Sequence, residues 1–296
     1  MNSKSKTTQL NSSAILWIRF LFFAILVLAF FQFGNKAIHL EKIVVQRPFF
    51  LLFSMVLIPL NLMLEWRRFN CAISDDMRQT VDLRRTFYQG IVVSFFTPQL
   101  FATTLGRFQS FSIRENQSIF VSGIAGAIAQ FTITMLFASV GSFLVIETFY
   151  LAILFGILAL LSLLTFYFKP FFNAWLSKFL SKEPFPNKAL LLLYSFLRYM
   201  VFSVQFHCIL FAFGLDFSYQ QLWILMLSYG LTSLSPSILF GKVIMREAVA
   251  LTVFSMFYYD KNMILCTAFL TWCFNVLTPM IFSLIMLSLK WKRQPI

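Results

Sequence analysis

Six stretches of this chain stay apolar over the length a helix needs to cross a bilayer, and this limits the fold more than any motif does. They are Ala14 to Gln32, Pro48 to Trp66, Ser118 to Ile146, Thr148 to Phe168, Ala189 to Gly214 and Asn262 to Leu289. A hydrocarbon core of about 30 Å is spanned by roughly 20 helical residues at 1.5 Å each. Composition agrees: 59% of residues are hydrophobic and 12% charged, and the mean hydropathy is +0.79, far from the balance of soluble domains. The longest polar stretches are too short to fold as a soluble catalytic domain. The chain therefore reads as an all-α polytopic membrane protein.

Two further stretches are apolar but interrupted. Phe87 to Gly106 contains Thr97-Pro98, and Leu222 to Tyr259 contains Ser235-Pro236, then Gly241, Lys242, Arg246 and Glu247. Proline lacks the helix donor and crowds the preceding turn, so Pro98 and Pro236, with Gly106 and Gly241, should break each stretch into two pieces. The first, 20 residues folding into two arms of about 15 Å, reads as a re-entrant hairpin, with a simple crossing as the alternative.

Basic clusters set the topology. The loop Arg67 to Thr86 holds five arginines, Lys169 to Lys188 holds four lysines, and the tail after Leu289 holds Lys290, Lys292 and Arg293. The positive-inside rule puts all three in the cytoplasm, with both termini, in a plasma (inner) membrane. The loop carrying Lys36, Lys42 and Arg47 then lies outside, against the rule. Three full spans separate the interrupted segments, so these enter from opposite faces. The eight apolar segments become six full spans plus two broken ones, arranged as an inverted repeat with halves 14–146 and 148–289 in one membrane domain. Broken helices that meet near the midplane of such repeats build transport sites.

The net charge of +13 does not point to nucleic acid, because the bases fall in short clusters between apolar runs. Four cysteines without CxxC or Cys/His spacing give no metal site or disulfide framework, and no cofactor is expected. No triad, HExxH or GxxxxGK[ST] set is present. Asp75-Asp76 could serve a lipid-linked glycosyltransferase by holding a metal, or simply cap a helix.

A cation buried in a bilayer costs about 2.5 to 3.5 kcal/mol on insertion scales and so usually faces water or a partner. Lys242 and Arg246 share a helical face, Arg107 approaches them if the broken segments meet, and Arg198 lies deep in its span. Arg107, Lys242, Arg246 and Arg198 are the expected headgroup-binding cations, with Glu247 paired to Arg246 or reading a cationic headgroup. Near an interface the same residues would merely snorkel. His207 could carry protons or be a packing residue. Gln99, Gln109, Gln130, Gln205 and Asn275 could line a polar path or tie helices together.

The run Gly241-Lys242-Val243-Ile244-Met245-Arg246-Glu247-Ala248, with Ser235-Pro236 before it and Thr97-Pro98 and Gly106 in the first half, resembles motifs of the lysylphosphatidylglycerol synthase transmembrane-region family. The resemblance runs from about residue 10 to 290. It implies the flippase-like half of such proteins, moving an anionic phospholipid or polyprenyl-linked lipid between leaflets, rather than the synthase. Lys242 and Ile244 stand where the family has glycine, and Arg107 where it has an acidic residue, so the substrate should differ. The alternative is a non-catalytic accessory or lipid-binding subunit of a cell-envelope pathway, acting as a homodimer or with an envelope enzyme.

Overall fold

The helix ends follow from the residues able to close them. The computed structural model describes residues 44–73, 82–96, 113–145, 149–167, 187–234, 241–257 and 259–291, and from Val45 onward these belong to one compact unit. Helix α1 is Pro48–Ala72, with proline in the first turn where its missing N–H costs nothing. Helix α2 is Leu83–Phe96, opened by Asp82, whose Oδ1 accepts from the Arg85 N–H at 3.1 Å. Helices α3 and α4 are Ile113–Leu144 and Phe149–Tyr167. Helix α5, Lys188–Ala212, is capped by Asn187. Helices α6, Tyr219–Leu234, and α7, Gly241–Ser255, follow. Asp260 caps α8, Lys261–Trp272, accepting from the Met263 N–H at 3.0 Å. A π turn, Cys273–Leu277, joins α8 to α9, Thr278–Trp291. The described residues form an all-helical structure.

Five segments are long and apolar enough to cross a membrane: Pro48–Ala72, Ser122–Leu144, Phe149–Tyr167, Lys188–Ala212 and Lys261–Leu289. They match five of the six uninterrupted runs, and the sixth, residues 14–32, lies outside the described residues. Both interrupted runs contain helices, α2 up to Phe96 in the first and α6 and α7 in the second, and residues 97–112 and 235–240, where the breaks are expected, lie outside the described residues. Pro98, Gly106, Arg107 and Pro236 are outside the described residues, while Gly241 is the first residue of α7.

The expected loop Arg67 to Thr86 is shorter than its charges suggest. Helix α1 continues through Arg67 and Arg68 to Ala72, and α2 already includes Arg84 and Arg85. Arginine has high helix propensity, and a charged residue ends an apolar run without ending the helix.

Helices α1 and α5 pack side by side in opposite directions. The N–H groups of Gln46 and Arg47 donate to the Ala212 carbonyl at 2.9 and 3.1 Å, and Arg47 pairs with Asp216 at 2.9 Å. Between α5 and α6 the chain turns at Gly214, φ 89°. Its N–H donates to the Phe211 carbonyl and that of Leu215 to the Leu210 carbonyl, the Schellman pattern that favours glycine. Helices α3 and α4 form a hairpin in which Thr132 and Ser162 hydroxyls meet at 2.9 Å and Ser139 Oγ donates to the Ala152 carbonyl at 2.8 Å.

Neighbouring contacts complete the bundle. Helix α3 also packs on α5 and α6, α7 lies on α6 and α8, α8 reaches α5, and α2 lies on α9, where the Tyr88 and Phe282 rings meet edge to face. Met135, Phe155, Phe206, Ile224 and Phe254 fill the α3–α8 core. Outward, α4 exposes Ile153, Ile157, Leu160 and Leu164, an apolar stripe at helical spacing suited to lipid.

Helices α3 and α6 approach closely because small residues meet there. A Cβ added to Gly141 would lie 2.7 Å from the Trp223 carbonyl oxygen and 2.6 Å from Met226 Cβ, and one on Gly230 would lie 2.3 Å from Ala138 Cβ. Gly141→Val should therefore separate the helices at a cost of about 1–3 kcal/mol. Thermal denaturation of the detergent-purified protein should show a lower midpoint, whereas valine at exposed Leu160 should leave it nearly unchanged.

A buried polar chain as the candidate functional site

Ser54, Asn61, Glu65 and Arg68 follow one another on α1 at intervals of seven, four and three residues, which places them on one side of a 3.6-residue helix. They are 0%, 3%, 7% and 8% exposed, so this polar stripe faces the interior rather than water. Buried polar groups need partners to offset the hydration they lose; the side chains of Asn61, Glu65 and Arg68 find them on other helices, whereas the Ser54 hydroxyl donates to the Leu51 carbonyl of its own helix at 2.6 Å.

Glu65 is the hub. Its Oε2 accepts from Arg198 Nη1 on α5 and meets Arg68 Nη2 at 2.6 Å. Arg198 Nε donates to Asn61 Oδ1 at 3.0 Å. Arg68 Nη1 donates to the Gly126 carbonyl at 2.9 Å and to Gln130 Oε1 at 3.3 Å, both on α3.

From Asn61 the chain runs the other way. Asn61 Nδ2 donates to Asn275 Oδ1 at 2.8 Å, Asn275 Nδ2 donates to Gln205 Oε1, and Gln205 Nε2 donates to the Ser54 carbonyl at 2.9 Å. The fourteen residues from Ser54 to Arg68 correspond to about 21 Å along α1, at 1.5 Å per residue.

Asn275 takes part because it sits in the π turn. Pro279 has no N–H to return to the Asn275 carbonyl, four residues earlier, so the regular ladder cannot close. The Thr278 N–H bonds instead to the Cys273 carbonyl, five residues back, the widened turn often found at functional positions. Asn275 Nδ2 also donates to the Thr271 carbonyl at 2.9 Å.

The depth of this chain is its most informative property. The segments Pro48–Ala72, Ser122–Leu144, Lys188–Ala212 and Lys261–Leu289 are centred on residues 60, 133, 200 and 275. Asn61, Gln130, Arg198 and Asn275 lie within three residues of those centres. Among the described residues, two guanidiniums and one carboxylate make the cluster formally +1.

Of the residues expected from sequence, Arg198, Gln130, Gln205 and Asn275 join this chain. Arg246 stands apart. Its guanidinium lies 5.8 Å from the Tyr229 ring centre, the Tyr229 hydroxyl donates to the Phe202 carbonyl at 3.3 Å, and the Phe202 ring lies 5.4 Å from the Arg198 guanidinium. Two aromatic residues thus connect the cations. Glu247 has a buried Oε1 without a hydrogen-bond partner among the described residues.

Lys242 is the second residue of α7, and its side chain lies outside the described residues, as do Arg107, Gln99, Gln109 and Asp75-Asp76. His207 Nδ1 donates to the Ser203 carbonyl at 2.8 Å within its own helix, and its ring faces Phe206 and Phe217, the setting of a packing residue.

Sequence reading missed Asn61, Glu65 and Arg68. The signal was the Asn-x3-Glu-x2-Arg spacing, a helical stripe that continues past Trp66, where the apolar run ends.

No family model, curated protein or solved structure matches the chain. Fold and site define its described residues as an all-helical structure with the make-up of a multi-pass membrane protein, with a buried polar chain that passes near the centres of four long helices and ends in an ionic cluster of Glu65, Arg68 and Arg198.

Removing the shared carboxylate should destabilise more than removing a neutral link. Glu65→Ala leaves two buried guanidiniums without their anion and is expected to cost about 3–5 kcal/mol. Asn275→Leu strips hydrogen bonds from Asn61 and Gln205 and is expected to cost about 1–2 kcal/mol. Thermal midpoints of the two purified variants should fall in that order.

Proposed function

We propose that this protein moves an anionic phospholipid or polyprenyl-linked lipid between the leaflets of a plasma-type membrane. The observation that carries this reading is the Ser54–Arg68 polar chain, which covers about 21 Å of α1 and whose described charges, from Arg198 near mid-helix to Arg68 four residues before the end of α1, are net positive. A lipid headgroup crossing a bilayer needs polar partners at each depth, since dehydrated charge is costly. An oxyanion suits the guanidinium-rich end.

An inverted repeat underlies this reading, with α1 to α3 as the described part of one half and α4 to α9 as the other. The contacts support it, because exchanging the halves maps them onto each other. Helix α2 packs on the last helix of the second half as α6 packs on α3, and α1 meets α3 as α5 meets α8. Helices α1 and α5, second in each half, pack together. The family resemblance around Gly241 to Ala248 and the cytoplasmic placement of both termini belong to the same proposal.

Two experiments test it. In proteoliposomes carrying headgroup-labelled phosphatidylglycerol, the protein should accelerate exchange between leaflets and Arg198→Gln should reduce the rate at least about tenfold, the loss of one charge-assisted hydrogen bond. Equal rates for both proteins and for empty vesicles would reject transport. In a background with the native cysteines replaced, Gln99→Cys and Ile238→Cys should be labelled by an impermeant reagent from opposite sides of the membrane. Labelling from one side alone would reject the inverted repeat.

A further inference from the structure

Among the described residues, the charges and donors of the buried cluster do not balance. Two guanidiniums share one oxygen of Glu65. Arg198 spends Nε on Asn61 and Nη1 on Glu65, and its Nη2 has no acceptor among the described residues. The side chain of Arg198 is 14% exposed against 9% for Glu65, so the accessible part of the cluster is its donor-rich member. Arginine forks bind carboxylate and phosphate in the same planar, two-point manner. An oxyanion arriving at Arg198 would therefore meet the bonding pattern that Glu65 now fills.

We propose that Arg68 and Arg198 form a binding site for one phosphate-diester oxyanion, and that Glu65 is the internal stand-in occupying it when ligand is absent. Ligand and Glu65 then compete for the Arg198 guanidinium. An incoming monoanion brings the cluster from +1 to neutral, and Glu65 withdraws to Arg68, its neighbour one turn away on the same helix. Asn61 holds Arg198 at Nε throughout, which keeps its Nη face directed at the ligand. The site deepens the lipid-movement reading and rests on it for the source of the anion. An oxyanion free in solution would use the same donors.

The test compares purified wild type, Glu65→Gln and Glu65→Gln/Arg198→Gln in neutral maltoside micelles. The probes are dioctanoyl phosphatidylglycerol, inorganic phosphate and uncharged dioctanoylglycerol. Without its stand-in, Glu65→Gln should be the least stable alone and the most rescued by ligand. Phosphatidylglycerol should raise its thermal midpoint by about 5–10 °C, as a ligand at a hundred times its Kd would. The wild type should gain less than half of that, the double variant should gain nothing, and dioctanoylglycerol should have no effect. The same gain with inorganic phosphate identifies a free-anion site on the same residues, whereas a gain confined to the lipid identifies a headgroup site.

The proposal is overturned if Glu65→Gln gains no more than wild type, or if the double variant gains as much as Glu65→Gln. Should Glu65→Gln not fold, Glu65→Asp shortens the carboxylate's reach while keeping its charge. It should show an intermediate gain, and a gain equal to wild type overturns the proposal equally. A ligand gain without leaflet exchange in proteoliposomes would sink the transport reading and leave this site standing. Exchange without a gain would do the reverse.

Discussion

The Glu65 carboxylate holds together a part of the molecule in which hydrophobic burial has little to offer. Between helices surrounded by lipid, apolar side chains gain little by leaving one hydrocarbon setting for another, so polar contacts and close packing carry more of the specificity. Glu65 connects α1 to α5 through Arg198 and, through Arg68, to α3. Without it, α1 and α5 would bring two like charges together in the least polar part of the bundle. Stability alone does not require such an arrangement, since a buried ionic triad can often be replaced by well-packed apolar residues without loss. Of the three ionised groups, Arg198 lies near the centre of its helix while Glu65 and Arg68 lie in the last eight residues of α1, so the cluster runs from mid-helix towards one end.

The pairing also fixes the register of the two helices. Asn61 meets Arg198, and seven residues away on each helix Ser54 meets Gln205. Seven residues is close to two turns, so both contacts lie on one seam of an antiparallel pair. A slip by one residue would rotate every polar group on α1 by about 100° away from its partner. Apolar seams tolerate such slips far more readily, because leucine facing lipid and leucine facing leucine differ little in energy. The opposite strategy appears between α3 and α6. There Gly141 and Gly230 set register by shape, through backbone approach too close for a Cβ.

The apolar runs were legible from sequence because they follow from the bilayer thickness. The five described spans start and stop within a few residues of the runs, apart from α1, which continues six residues further. The buried cluster was only partly legible. Arg198, Gln130, Gln205 and Asn275 were conspicuous as polar residues deep in apolar runs. Glu65 and Arg68 were not, because hydropathy treats the first charged residues as the end of a span, while the helix and its buried face continue to Ala72. Partners could not be read either. Arg198 to Glu65 spans 133 residues of sequence, and only the adjacency of α1 and α5 brings them together. Arg246 lies against Tyr229, and the side chains of its expected companions Arg107 and Lys242 lie outside the described residues.

Helices α1, α3 and α5 and the π turn between α8 and α9 each contribute one part of the polar chain, and this links it to movement. Helices α1 and α3 belong to one half of the sequence, and the others to the second half. On the proposed inverted repeat, a shift between the halves would strain Asn61–Asn275, Arg198–Glu65 and Gln205–Ser54, with Asn61–Arg198 as the contact proposed to persist. The Arg68 contacts to Glu65, Gly126 and Gln130 lie within the first half and would survive such a shift. Arg198 is therefore the cation that movement would release, while Arg68 stays anchored. The π turn makes the same division within α8 and α9, because a widened turn stores one extra residue that can return to the ladder when Asn275 loses its partners. The groups that would let go are those on the accessible side of Glu65, so loss of the Arg198–Glu65 pair and separation of the halves are one event described from two ends.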